Sequence, residues 1–437
     1  MLESFEIVNF KSILDLKIDL KYGETTAPRH YQDSESWAFL ETRNGKKGRF
    51  VSTLAIYGAN ASGKSNIINA FLIFQRLLTK GVIGCFAPNK LNPKYDYGCF
   101  VGEVSLDESR YRYDIKYDDK HIIQETVSLL SAGKNAERIL FAVGDEVNTF
   151  EGTVALEYDE GRLRNALKIE CMNGEGLFIR PFLPRLAKTF PGLTNFAERL
   201  LSEFVDRLQV SNRNEFFISQ GVDLLAQANA PEARRVAIMK IVKILRKFDF
   251  GVKDMMMSRQ RVGKASAMFP VGGMPSFNSA AVKRDAGDAW IVDEIKLVHE
   301  DSRGEDKELD FMTEESEGTK VVAALIGVCL WALETGKTLF VDELDRSLHP
   351  FILVSLIRLF KSKRYNKTNA QLVFTAHDAT PLEDDLLRIS EVAIVDKNLS
   401  AGSTLKRLCE YEGVRNVANF RKQYLSGAYA GIPFPYV

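Results

Sequence analysis

Cysteine is scarce and scattered. The five residues, Cys85, Cys99, Cys171, Cys329 and Cys409, form no C-x-x-C pair and are odd in number. That excludes a disulfide framework and a paired-cysteine zinc site and points to a reducing compartment. Histidine is as rare, five in all, and the H-x-x-E-H and paired-His patterns of zinc hydrolases are missing. Excess charge of one sign is missing too: 58 Lys plus Arg balance 58 Asp plus Glu. Global charge therefore does not mark a nucleic-acid binder, although local patches stay open. The opening Met1-Leu-Glu-Ser-Phe-Glu-Ile carries acids and no basic segment leading into an apolar run, unlike a secretory signal. The longest apolar run, Val321 to Leu333, is too short to span a bilayer and reads as a buried helix. A soluble, cytoplasmic chain with no membrane partner is expected. Neither an internal repeat nor a sustained heptad is present.

What is there suits a globular protein. With 437 residues, 45% of them hydrophobic and 27% charged, the chain can bury a substantial core in about two to three domains, or in one large domain with an insertion. Phe5 to Phe10 and Leu14 to Leu20 alternate apolar with polar residues, which predicts a hairpin of half-buried strands. A polar stretch with Arg43, Lys46, Lys47 and Arg49 reads as a solvated loop before a strand from Val51 to Tyr57. A helix is predicted from about Ser65 to Leu78, stopped by Gly81, Gly84, Pro88 and Pro93. Alternating runs between 99 and 180, such as Tyr111 to Tyr117 and Thr153 to Tyr158, predict an antiparallel lobe.

From about Asn195 to Phe248 the period turns helical, with Phe196, Leu200, Leu201, Phe204 and Leu208, then Val236, Met239, Ile241, Val242 and Leu245. The second of these helices carries Arg234, Arg235, Lys240, Lys243, Arg246 and Lys247, either a solvated face or one that touches phosphates. Residues 255–284 hold three consecutive Met, Gly272-Gly273 and five Lys or Arg without an acid, which predicts a mobile basic loop. Strand pattern resumes at Trp290 to Val298, after which apolar strands alternate with helices as in parallel α/β sheets.

Three stretches carry chemistry. Gly58-Ala-Asn60-Ala-Ser62-Gly63-Lys64-Ser65 fits G-x-x-x-x-G-K-[ST] without a mismatch, follows a predicted strand and opens a predicted helix that continues with Asn66. Gly58 and Gly63 let successive N–H groups face phosphates, and the helix N-terminus adds its positive end. Lys64 would meet the β- and γ-phosphates of ATP, and Ser65 would give its hydroxyl to Mg²⁺. The apolar Leu339-Phe-Val341, with Thr338 before it, leads into Asp342-Glu343, the form of a Walker B strand. Asp342 would orient the Mg²⁺ shell, and Glu343 would polarise the attacking water as general base. A further strand, Leu372 to Thr375, ends at Ala376-His377, where His377 could hydrogen-bond the γ-phosphate and sense its presence. Ser316-Glu317-Gly318-Thr319 opens the apolar helix; alone, it is equally an ordinary N-cap.

Taken in order, Asn9-Phe10-Lys11-Ser12, the Gly58–Ser65 loop with Asn60 and Ser62, Ser316 to Thr319, Asp342-Glu343 and His377 resemble the ABC-type ATPases of the SMC, RecF and OLD-nuclease group. Leu344-Asp345-Arg346-Ser347-Leu348-His349-Pro350 and the closing Tyr424-Leu-Ser-Gly-Ala-Tyr-Ala-Gly431-Ile-Pro433 resemble its stand-alone prokaryotic branch, the ATPase subunits of PARIS-type and Septu-type antiviral and abortive-infection loci. The resemblance covers roughly residues 1–130 and 288–437. It implies an α/β fold: an ABC-ATPase-type mixed sheet with an antiparallel β lobe and a helical insertion between Walker A and the signature motif. The corresponding division is 1–185 for the N-terminal part of the ATPase domain, 186–287 for the insertion and basic loop, and 288–437 for the C-terminal part.

The resemblance also implies that Ser316, Gly318 and Thr319 are the signature motif, touching nucleotide held by the loop of a second subunit. Asp345 would cross the dimer interface, and His377 would be the switch histidine. ATP would thus be sandwiched in a homodimer or a higher oligomer. Glu317 stands where a small residue is usual, and an acid near a γ-phosphate weakens closure by repulsion, so slow or conditional hydrolysis is expected. The segment after His377 is too short for the TOPRIM nuclease domain of OLD-type proteins, so a separate toxic effector, a nuclease, is the expected partner. The rival expectation is a RecF-like DNA-repair clamp, with DNA held by the basic residues of the insertion.

Overall fold

Burial of apolar residues builds the opening hairpin, β1 (Leu2–Phe10) and β2 (Ile13–Asp19), whose Phe5, Ile7, Phe10, Ile13, Leu16 and Ile18 are almost wholly shielded. The computed structural model describes residues 1–23, 40–41, 49–106, 109–130, 137–144, 148–150, 191–205, 208–211, 218–226, 231–262, 280–284, 290–383, 386–398, 402–414 and 419–432. Two compact units divide the chain: Met1–Ser211 with Thr335–Leu344 and Ile357–Val437, and Asn212–Glu334 with Asp345–Leu356. The expected strand Thr153 to Tyr158 and the cluster Arg43, Lys46 and Lys47 lie outside the described residues.

In the first unit, the small pair β3 (Leu40–Glu41) and β4 (Arg49–Phe50) precedes β5 (Thr53–Gly58) and helix α1 (Lys64–Lys80). The antiparallel lobe follows as β6 (Gly98–Leu106), β7 (Ser109–Tyr117), β8 (Ile122–Leu130), β9 (Glu137–Gly144) and β10 (Asn148–Phe150). Helix α2 (Pro191–Val205) and strand β11 (Leu208–Ser211) come next. In the second unit lie α3 (Ile218–Ala226), α4 (Pro231–Lys247), β12 (Val252–Val262), β13 (Ala280–Arg284), β14 (Trp290–Glu300), β15 (Asp306–Asp310) and most of α5 (Glu317–Thr335). The chain continues as β16 (Thr338–Val341), α6 (Pro350–Lys361), β17 (Gln371–Thr375), β18 (Val392–Asn398), β19 (Gly402–Arg407) and α7 (Phe420–Leu425).

Among the described residues, thirteen strands of the first unit join in one mixed sheet, in the order β10-β9-β8-β7-β6-β1-β2-β19-β18-β5-β17-β16-β11. The strands from β18 to β11 pair in parallel and the others antiparallel. Helix α1 lays one stripe on this sheet: Ile67, Phe71, Phe74 and Leu78 recur at helical spacing and are buried. The Phe71 ring stacks on Phe5 of β1 at 3.9 Å and lies 3.6 Å from Phe340 of β16. Each such ring, fully buried, contributes about 1.5–3 kcal/mol, so the helix that opens at the glycine loop is clamped to both the first hairpin and the strand before Asp342.

A buried ion pair anchors the end of α6. Lys361 binds Glu391, both nearly inaccessible, while Thr53 donates to Glu391 Oε1 at 2.8 Å and the Arg388 amide to Oε2 at 2.9 Å. Removing one partner strands a buried charge. Lys361→Met is expected to lower stability by about 3–5 kcal/mol, read from the urea midpoint, and adding Glu391→Gln should restore much of the loss.

In the second unit, Gly221 of α3 and Gly327 of α5 let two helix backbones meet: a Cβ at Gly327 would lie 2.9 Å from the Gly221 Cα. Helix α5 is long and apolar enough to cross a membrane, but most of it is buried within the protein, as in a core helix. β14 pairs with β12 along its length, with β13 over its first half and with β15 over its second.

Two expectations are corrected here. The expected loop over 255–284 is strand at both described ends, in β12 and β13, while residues 263–279 lie outside the described residues. A register shift between Val252 and Asp254 lets Val252 and Met255 both face inward with Met256 exposed, which breaks the period-two signal, and Met lacks the β-branch that advertises a strand. Leu208, expected to close a helix, instead opens β11 at the sheet edge beside β16.

Candidate functional site

Parallel pairing decides where the candidate residues meet. β17 lies between β5 and β16, with Thr375 opposite Ile56 and Phe374 opposite Val341. Three neighbouring strands therefore release Gly58, Ala376-His377 and Asp342-Glu343 from the same carboxyl edge, about 4.8 Å apart from strand to strand. In parallel sheets that edge is where ligands bind.

The loop from Gly58 to α1 is shaped by close contact. A Cβ at Gly58 would fall 2.3 Å from the Val395 carbonyl oxygen and 2.9 Å from Ser62 Oγ; one at Gly63, whose φ is +110°, would fall 2.2 Å from Ser403 Oγ and 2.7 Å from Ser12 Oγ. Only glycine fits either place. Beneath the loop runs a chain of hydroxyls and amides. Asn66 Nδ2 donates to Ser12 Oγ at 2.8 Å, Ser12 and Ser403 share a hydrogen at 2.7 Å, and Ser403 Oγ donates to the Ser62 carbonyl at 2.6 Å. The Asn9–Ser12 turn is held in place by Asn9, whose Nδ2 donates to the Tyr95 and Tyr97 carbonyls at 2.9 and 2.7 Å.

Lys64 is buried and donates to the Gly58 and Ala59 carbonyls at 2.6 and 2.9 Å. Ser65 and Asn60 are exposed. The Ser62 hydroxyl is buried without a hydrogen-bond partner among the described residues. A buried orphan hydroxyl, a fixed ammonium and the open N–H groups of a 17-residue helix together suit a phosphate chain. Hard oxygens from Ser65 and Asp342 suit Mg²⁺, whose remaining ligands are ordinarily water and phosphate.

One hydroxyl organises the acidic strand end. Thr375 Oγ1 donates to Asp342 Oδ1 at 2.7 Å and accepts from the Glu343 amide at 2.6 Å, while the Leu344 amide donates to the Thr375 carbonyl at 2.9 Å. Glu343 is thereby held at φ +48°, a left-handed conformation that costs a non-glycine residue energy and is common at functional sites. His377 is exposed beyond the end of β17, and Asp378 turns the chain by accepting the Thr380 amide at 2.8 Å.

Ser316, Gly318, Thr319 and Asp345 belong to the second unit. Ser316 caps α5: its Oγ accepts the Thr319 amide at 3.1 Å and lies 2.8 Å from Thr319 Oγ1. A Cβ at Gly318 would lie 3.5 Å from the Ser347 carbonyl, so the helix start and the segment after Asp345 are neighbours. Glu317 is exposed in the first turn. The basic face of α4 is largely engaged at home. Arg235 pairs with Asp254 at 2.8 Å, Lys240 with Glu334 at 2.7 Å, and Arg246 donates to the Val252 carbonyl at 3.2 Å.

Sequence reasoning missed Thr375 and Ser403, because a lone hydroxyl at a strand carries no motif; only adjacency of β17 to β16, and of β19 to the loop, reveals them. Gln75 and Gln124 donate to the Phe204 carbonyl and to Thr126 Oγ1. No metal-binding group of His, Cys, Asp and Glu occurs among the described residues.

A family model described as "AAA domain, putative AbiEii toxin, Type IV TA system" matches residues 54–143 and 196–383, more than half of the chain. No curated protein matches. Similar solved structures include an SMC head bound to the C-terminal winged-helix domain of ScpA, 14% identical with a TM-score of 0.41 over 95% of this chain and 99% of that one. Another is the SMC head domain from Thermotoga maritima, 12% identical with a TM-score of 0.34 over 93% and 98%.

Proposed function

We propose, from the premise that the chain belongs to this AAA-domain family and is an ABC-type ATPase of the SMC, RecF and OLD-nuclease group, that it binds and slowly hydrolyses ATP to switch a separate toxic effector in antiviral defence. The observation that carries the nucleotide reading is the common carboxyl edge of β5, β17 and β16. Gly58, Asn60, Ser62, Gly63, Lys64, Ser65 and Asn66 hold the phosphates, with Lys64 moving from loop carbonyls to phosphate oxygens. Asp342 and Ser65 hold Mg²⁺, which when bound offsets phosphate charge. Glu343 accepts the proton of the attacking water, and His377 donates to the γ-phosphate. Ser316, Gly318, Thr319 and Asp345 act on the nucleotide of a second copy, so that the γ-phosphate favours the closed dimer by contacts made only there. The family's description, which links the AAA domain to an AbiEii-type toxin of Type IV toxin–antitoxin systems, supports the defence setting; a separate nuclease is the effector expected within it. Glu317 in the first turn of α5 supports slow turnover.

The test is the ATPase rate at fixed low salt, with and without duplex DNA, alongside light scattering with ATP. A slow rate indifferent to DNA and an ATP-dependent dimer or higher oligomer are expected. Strong stimulation by DNA that fades steeply with salt would favour the RecF-like clamp, and absence of any oligomer with ATP would sink the switch.

A further inference from the structure

The closing Tyr424–Gly431 stretch has no part in the chemistry above, yet it folds onto the back of the glycine loop. Helix α7, capped by Asn419 Oδ1 accepting the Lys422 amide at 2.7 Å, delivers Tyr424 into the interior, where its ring tilts against Tyr57 at 5.5 Å. Its hydroxyl faces the Gly431 carbonyl at 3.5 Å. The turn then brings Gly431, at φ +70°, so close that a Cβ there would lie 3.3 Å from the Gly58 Cα and 2.6 Å from Ile394 Cγ2. Two further ties fix the segment: Tyr411 donates to the Tyr429 carbonyl at 3.0 Å, and Arg421 pairs with Glu383, just past the turn that follows His377.

Gly58 is thus gripped on both sides. Gly431 packs against its Cα, and its carbonyl receives Lys64. We propose that Tyr424–Gly431 is a positioning element of the nucleotide site, with Tyr424 and Gly431 setting Gly58 and Arg421 steadying the segment after His377, so that nucleotide binding and tail docking strengthen each other. The proposal rests on the reading of Gly58–Asn66 as the nucleotide loop. Coupling of this kind is reciprocal: whatever the docked tail adds to nucleotide affinity, bound nucleotide adds to tail docking.

Both directions can be read on the full-length protein with a fluorescent ADP derivative and Mg²⁺. Tyr424→Phe keeps the ring and deletes the hydroxyl, and it is expected to weaken the nucleotide about fivefold, the scale of one hydrogen bond, with only a small fall in the melting temperature of the nucleotide-free protein. Gly431→Ala, which forces a Cβ against Ile394 and Gly58, is expected to weaken it further and serves if Tyr424→Phe fails to fold. Nucleotide should also slow tryptic cleavage after Arg421 and Lys422 in the wild type and not in Lys64→Ala. Wild-type affinity in both tail variants, together with cleavage indifferent to nucleotide, overturns the positioning role and leaves the nucleotide site standing. Failure of the wild type to bind the probe overturns the site itself, and the proposal with it.

Discussion

Glu343→Gln is expected to hold ATP as firmly as the wild type while turnover falls at least about a hundredfold, the usual contribution of a positioned general base. The amide is nearly isosteric with the carboxylate. The features that shape this position are backbone ones, the amide bonded to Thr375 Oγ1 and the left-handed φ of 48°, and they survive the exchange. The substitution therefore removes the proton acceptor and leaves those backbone features in place. Since nucleotide that is not cleaved cannot leave as product, the variant should accumulate as the ATP-bound oligomer, visible by light scattering where the wild type returns to smaller species. Turnover at the wild-type rate would mean that another group takes the proton.

Lys64→Ala is expected to cost at least about a hundredfold in nucleotide affinity, or roughly 3 kcal/mol, measured by titration of a fluorescent nucleotide. The ammonium is buried, and both of its loop acceptors, the Gly58 and Ala59 carbonyls, are within 2.9 Å. Deleting it removes the charge-assisted bonds to phosphate and at the same time frees the carbonyls that shape the loop. Lys64→Arg separates the two effects. It keeps the charge, but a planar guanidinium cannot occupy the compact place of an ammonium, so restored affinity in Lys64→Arg would assign the role to charge alone.

Much of this was legible because the informative signals are local. A strand, a glycine-bounded turn and a helix follow one another between Thr53 and Lys80, and three apolar residues run straight into Asp342-Glu343. The rest depends on long-range adjacency. Thr375 ties Asp342 and Glu343 only because β17 lies beside β16; β11 is four residues long and hides at the end of a helical pattern; and β12 hides behind three methionines and a bulge. Tyr424 reads as one aromatic residue among many until its ring is seen against Tyr57.

The hydroxyl chain under the loop has a consequence for biosynthesis. Ser12 and Ser403, which meet at 2.7 Å beneath Gly63, stand 391 residues apart. Contacts of such separation form late, because the intervening chain must be ordered before they are rewarded. The ribosome delivers the Gly58–Ser65 motif early, but the floor that gives it its shape arrives only with β19. During translation the emerging polypeptide should therefore stay blind to nucleotide until nearly all of it has been made.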